Sequence, residues 1–384
     1  MIEKALALDP ESAEAFAALG VTRWQIGQLD AAESSLRRAT ELNEDYIPAL
    51  LWLAGVLGEQ GRYPEEHQLL EQALALDPLN ELLVINYANN QRLRGDFTSG
   101  REHLRKLIEL RPDSTILLRS LAEEELLQGE LVEGWKLAQR SWQLEPENPA
   151  DIATMAMTLV QLGQTKQAEE LLVAGLEKSG QNFNLLKARW LNLLVSGRYE
   201  EAERLVRETM MEAGKNLPDS LNQVFNMQLG MIALARLDYP AARQFFEVAI
   251  GKNADADAVF GTDQILTLTL SAIVSRQLGD EKTADERLLA AERKIKRARL
   301  NGVDDAEIYY TEGALLAMRD EVPAALEKLQ QAYDRGFRDL WLLQLDWRLN
   351  SLREEQTFVA LESRLGQDID QANAEIRALS LASL

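Results

Sequence analysis

Six glycines, Gly27, Gly61, Gly95, Gly129, Gly163 and Gly197, recur 34 residues apart. A strict period of that length confines a chain to one supersecondary unit stacked on copies of itself. The residues in register with the glycines define the unit. Seven before each glycine stand Gly20, Ala54, Ala88, Ala122, Ala156 and Trp190. Five after stand Ala32, Glu66, Gly100, Gly134, Ala168 and Ala202, and four further on Leu36, Leu70, Leu104, Ala138, Leu172 and Val206. Two small slots facing each other let two helices approach closely. The glycine between them supplies a backbone conformation that costs other residues energy. Prolines at Pro10, Pro78, Pro112 and Pro146 stop one helix and start the next. The unit is a hairpin: helix A, glycine turn, helix B. Trp190 breaks the pattern, and an indole in an alanine slot is expected to spread the sixth hairpin.

The fragments Leu19-Gly20, Gly27, Ala32, Leu36 and Ala39, and the run Leu76-Asp77-Pro78, resemble the tetratricopeptide repeat. The resemblance continues through three less regular units: Leu229-Gly230 with Tyr239, Ala242, Phe246 and Ala249; Ala272 with Gly279, Ala284, Leu288 and Ala291; and Gly313 with Ala325, Leu329 and Ala332. Their small slots lie 40 to 42 residues apart, which predicts a longer helix B or a longer loop after it. The fold implied is all-α, a right-handed α-solenoid of about nine helical hairpins with a C-terminal capping segment. Residues 1–12 read as the second half of an incomplete repeat, which suggests either a piece of something longer or a ragged beginning. Residues 13–216 read as six regular repeats, 217–336 as three irregular ones and 337–384 as a helical cap. In that cap, Asp346-Trp347-Arg348-Leu349, Leu352-Arg353, Phe358 and Leu361 resemble the tail after such arrays in bacterial signalling proteins, among them winged-helix regulators and adenylyl cyclases. The last helix carries an apolar stripe, Ile369, Ala372, Ile376 and Leu379, that has to be buried somewhere.

Charge and composition exclude several functions. The chain has 62 acidic and 41 basic residues, a formal net charge of −21, and repels phosphate at long range. Nucleic acid is therefore not an expected partner. There is no cysteine, so thiol chemistry is absent. No apolar run reaches the ~20 residues of a membrane span, and the N-terminus has no signal-peptide pattern. A cytoplasmic location is expected, or a periplasmic one if a longer protein supplies the address. His67 and His103 read as exposed spectators on separate B helices. The acidic runs Glu123-Glu124-Glu125 and Asp255-Ala256-Asp257 read as solvated faces. The basic run Arg293, Lys294, Lys296, Arg297 and Arg299 reads as the outer face of a long helix B, where cations suit the helix end. No phosphate loop, nucleophile elbow or metal-ligand spacing is present. No cofactor, metal or catalytic residue is expected, and the chain reads as a non-enzymatic scaffold.

In the tetratricopeptide family the A helices line a concave groove. The variant that clamps C-terminal carboxylates is not met here: Asn86 and Lys187 each fit one slot, but Leu51, Gly55, Ile116 and Leu191 occupy others. The resemblance places Asn89, Arg92, Arg119 and Glu123 in the groove of repeats three and four, a polar stretch for an extended peptide. It places Met157, Val160, Leu191, Leu194, Met227, Met231, Leu234 and Ile273 along repeats five to eight, a continuous apolar strip. Such strips mark a binding site or a surface covered by the protein itself, and methionines suit an adaptable groove. The partner expected is a protein or peptide of a bacterial signalling or assembly system, docking an amphipathic helix or an extended apolar segment centred on Met227, Met231 and Leu234. The alternative is a structural solenoid whose groove is covered by its own tail or by a second copy, and a homo-oligomer stays open.

Overall fold

The computed structural model describes residues 2–214, 217–251 and 262–382, and these contain helices and no strand. A short helix α1 (Ile2–Leu8) precedes nine hairpins. The first six are α2 (Ala13–Gln25) with α3 (Leu29–Leu42), α4 (Ile47–Glu59) with α5 (Tyr63–Leu76), α6 (Glu81–Leu93) with α7 (Ser99–Leu110), α8 (Thr115–Leu127) with α9 (Leu131–Leu144), α10 (Pro149–Gln161) with α11 (Thr165–Ser179), and α12 (Phe183–Val195) with α13 (Tyr199–Ala213). Three more follow: α14 (Asp219–Ala235) with α15 (Tyr239–Ile250), α16 (Thr262–Gln277) with α17 (Glu281–Leu300), and α18 (Ala306–Ala317) with α19 (Val322–Asp334). Then come α20 (Leu340–Leu345), a 3₁₀ turn (Trp347–Leu352) and the terminal helix α21 (Gln356–Ala382). The extra length of the late repeats lies partly in α17, a B helix of 20 residues, as expected, and partly in α14, an A helix of 17. Asp255 and Asp257 lie outside the described residues.

Each hairpin turn is built the same way. All six periodic glycines have φ between +69° and +82°. The N–H of the residue after each one bonds back across the helix end: Gln28 to Arg23 O, Arg62 to Leu57 O, Asp96 to Gln91 O, Glu130 to Glu125 O, Gln164 to Leu159 O and Arg198 to Leu193 O. These bonds satisfy carbonyls that the helix leaves open. Where the glycine period fails the geometry persists. Leu237 and Asp320 take φ of 59° at the same place, with Asp238 N–H on Ala233 O and Glu321 N–H on Leu316 O. Helix starts are capped by Ser12, Asn80, Asn148 and Asn182, whose side chains accept main-chain N–H groups of the first turn.

The small slots work as the pattern requires. A Cβ on Gly100 would stand 2.5 Å from the Cα of Ala88, and one on Gly20 the same distance from Leu36 Cγ. Glu66 is the exception among the B-helix slots. Gly58 leaves room for its carboxylate, and Asn90 Nδ2 donates to it at 2.9 Å. Burial pushes this carboxyl up to about 7, against the pull of Asn90. Trp190 is buried in a cluster with Leu193, Leu194, Ala202 and Val206.

The described residues fall into two compact units: residues 2–112 with 296–305, and residues 113–214 and 217–251 with 262–295 and 306–382. In the first, Arg92 pairs with Asp305 at 3.1 Å, and Asp304 N–H bonds to Leu93 O. His67 is not a spectator: its ring stacks on Tyr87 at 5.8 Å, Glu71 lies 3.3 Å from its Nε2, and its pKa is lowered by burial. The exposed His103 meets the same tyrosine edge-on at 5.2 Å. Two B helices flank one A helix, so their first turns converge on it.

The second unit closes on itself. Gly336 abuts the main chain of Gln128, and an added Cβ would stand 2.5 Å from that residue's carbonyl carbon. Ile369, Ala372 and Ile376 of α21 are buried in the core formed by hairpins four and five, with Ile152, Leu159 and Leu172. A tail leaving the ninth hairpin thus emerges beside the fourth and fifth and has no long path to retrace. Glu124 and Glu125 are 4% and 1% exposed, not solvated as their run suggested. An A helix has neighbours on several faces, so three consecutive residues cannot all reach water.

Candidate functional site

Along the second unit each A helix presents one face inward. The residue just after the small slot is the less covered one: Glu123 and Met157 are exposed, and Leu191, Met231 and Ile273 half-buried. The residue four after the slot is buried: Val160, Leu194 and Leu234 are 2%, 3% and 1% exposed. Met227 is also buried, at 8%. The continuous strip is therefore not an open surface. Val160 and Leu234 lie in hairpin cores, because a residue four after the small slot shares the slot's packed face of the helix.

Much of the remaining strip is covered by the chain itself. Trp341, Leu342, Leu345 and Trp347 close a small void against Leu194, Met231, Leu266 and Leu270. The cover is anchored below by a buried ion pair. Arg348 Nη2 donates to Asp346 Oδ2 at 2.7 Å, and Tyr310 Oη donates to the same oxygen at 2.8 Å. Arg353 adds bonds to the carbonyls of Leu343, Gln344 and Asp346. The expected external helix over Met227, Met231 and Leu234 is corrected accordingly: Leu234 is a core residue, Met227 is buried at the wall of the chamber described next, and Met231 faces the chain's own tryptophans.

A chamber of ≈ 820 Å³ remains. Met157, Leu191, Leu194, Met227 and Met231 line one side, and Phe337, Trp341 and Leu342 another. Polar groups on its wall include Arg119, Glu123, Lys187, Asp263, Glu307, Arg338, Asp339 and Arg348. The arginines are already held: Arg119 by the fully buried Asp151 at 2.9 Å, Arg338 by Asp368 at 2.9 Å, and Arg348 by Asp346. Thr154 donates to Glu123 at 3.2 Å. Asp339 is different. Burial pushes its carboxyl up to about 6, the indole of Trp341 is its hydrogen-bond donor, and among the described residues no cation pairs with it.

Of the residues expected at the site, Arg119, Glu123, Met157, Leu191, Leu194, Met227 and Met231 meet at this chamber, whereas Val160, Leu234 and Ile273 do not line it. Asn89 and Arg92 belong to the first unit. Sequence reasoning missed the residues that the tail contributes, Phe337, Asp339 and Trp341. Two tryptophans and a phenylalanine within eleven residues of an acidic chain were the available signal. Among the described residues no group of three potential metal ligands occurs, and no helix is long and apolar enough to cross a membrane.

A family model of the tetratricopeptide repeat matches residues 1–47 and 17–81. No curated protein matches. Among solved structures, a thermophilic repeat protein of Thermus thermophilus is 19% identical, with 48% of this chain and all of that one covered and a TM-score of 0.43. PilF of Pseudomonas aeruginosa is 20% identical over 52% of this chain and 90% of that one, at 0.41. A chain of the Cut9–Hcn1 hetero-tetramer of the APC/C is 15% identical over 95% of this chain and 71% of that one, at 0.48. Likenesses of this size carry no argument about ligands.

Proposed function

We propose that this tetratricopeptide-repeat chain is an interaction scaffold whose second unit takes a short, extended segment of another protein into its chamber. The observation that carries the reading is the chamber itself. It keeps Met157 37% exposed beside Leu191, although the tail closes over Leu194 and Met231. A volume of ≈ 820 Å³ falls in the range of ligand pockets, about 300–1,000 Å³. A helix about 10–12 Å across would fill it within roughly two turns, so an extended end or loop suits it better than a long amphipathic helix.

A second reading has its own support: Trp341 and Trp347 already occupy the strip, as a purely structural solenoid would require. A photo-cross-linking side chain at Met157, used in cells that express the chain natively, separates the two. Cross-links to another protein, lost when Leu191 is replaced by Asp, support the scaffold. Cross-links confined to residues 337–348 of the same chain overturn it.

A further inference from the structure

We infer that the chamber selects a cationic segment, a lysine or arginine flanked by apolar residues, and that Asp339 is the residue that reads its charge. The inference rests on the chamber being a binding site and goes on to name the class of ligand. Its basis is which wall charges are already satisfied. Arg119, Arg338 and Arg348 each have a carboxylate of this chain within 2.7–2.9 Å. Three guanidiniums committed in this way offer little to an anionic ligand.

Asp339 has only the indole of Trp341. Asp339 is half-buried in the chamber wall, and an ionised carboxylate there attracts an opposite charge more strongly than one in open water, because attraction strengthens as the surroundings become less polar. Asp263 adds a second carboxylate on the same wall, exposed and unpaired among the described residues. Lys187 is the opposing charge, but it is exposed, and water screens it. Around the carboxylate, Met157, Leu191 and Met227 supply apolar contact for the stem and neighbours of a basic residue. The chamber thus offers one anchoring charge in an apolar wall, whereas a polyanionic surface offers charge without enclosure.

Three capped hexapeptides test this by calorimetric titration against the full chain at physiological salt. They share leucines at four positions and carry lysine, glutamine or glutamate at the second and fifth. The expected order is lysine over glutamine over glutamate, with at least about tenfold between the first and last. Asp339→Asn should remove most of the lysine preference while the glutamine peptide binds as before. Asp263→Asn should give a smaller loss, which keeps the test open if Asp339→Asn misfolds. Equal binding of all three peptides overturns the charge selection and leaves the chamber as an apolar site. A lysine preference that survives both variants shows attraction to the acidic surface and also overturns it. If none of the three binds, the chamber is not a peptide site and both readings fall.

Discussion

Asn373 donates from Nδ2 to the carbonyl of Leu162, 211 residues earlier, at 2.9 Å, and accepts from Gln164 Nε2 at 2.6 Å. Leu162 is the C-cap of α10, so a side chain near the end of the protein satisfies a helix end in its fifth hairpin.

Removing that bond should loosen α21 without unfolding the array. Asn373→Ala is expected to cost about 0.5–1.5 kcal/mol. Ile376→Asp should cost more, because it forfeits roughly 1.5–3 kcal/mol of burial and leaves a charge in the core. Limited proteolysis followed by mass spectrometry should then find cleavage before Gln356 in the second variant, with hairpins four and five still protected. Wild-type resistance in Ile376→Asp would show that the helix is held elsewhere.

The turn residues separate two costs of a side chain. Gly163 has φ of +74° and open space around it, so Gly163→Ala should cost about 1–2 kcal/mol from backbone conformation alone. Gly336 has φ of +104° and the main chain of Gln128 against it. Gly336→Ala should cost clearly more, since backbone has to move. Leu237, exposed and at φ of 59°, offers the reverse: Leu237→Gly should raise stability by up to about 1 kcal/mol. Denaturant titration of the three variants checks the order.

Glu66 makes stability depend on pH in a direction unusual for a carboxylate. Its folded value of about 7 lies above the ordinary value of 4.5, so the folded state binds the proton more tightly. The contribution is fully present below about pH 4.5, where both states are protonated, and is lost as pH rises through about 7. Glu66→Gln keeps a neutral acceptor for Asn90. It should match wild type near pH 4.5 and exceed it at pH 8 by on the order of 1–3 kcal/mol. Melting both proteins across that range gives the difference, and parallel curves would refute the assignment.

The pair of Asp346 and Arg348 is 2% and 4% exposed at its side chains. Arg348→Met should cost about 3–5 kcal/mol by stranding a buried carboxylate. The double variant with Asp346→Asn should recover a large part of it. Near-UV circular dichroism reports whether Trp341 and Trp347 stay packed. Failure of the double variant to recover would mean that Tyr310, which donates to Asp346, is the partner that matters.

What the sequence made legible was the hairpin. Its glycine period marks six turns directly, and the small slots mark the helix contact. The period does not say which residues of helix A face inward, because every residue recurs with the same period. Met157 and Val160 looked alike, yet one lines the chamber and the other is buried. The tail was harder still, since it has no copy to be read against. Its role depends on Gly336 meeting Gln128, a contact between distant parts of the chain that no local pattern encodes.

That contact changes the kind of object the second unit is. An open stack gains stability roughly one neighbour at a time and can fray from either end. A stack whose last members bond to its fourth and fifth hairpins has its tail end tied down, so fraying there first has to break a contact between residues some 211 positions apart. Contacts of such long range form slowly, and until they form the chamber has no wall on the side of Phe337 and Trp341. The chamber is then the last part of the fold to be completed, and it exists only once residues far apart in sequence have met.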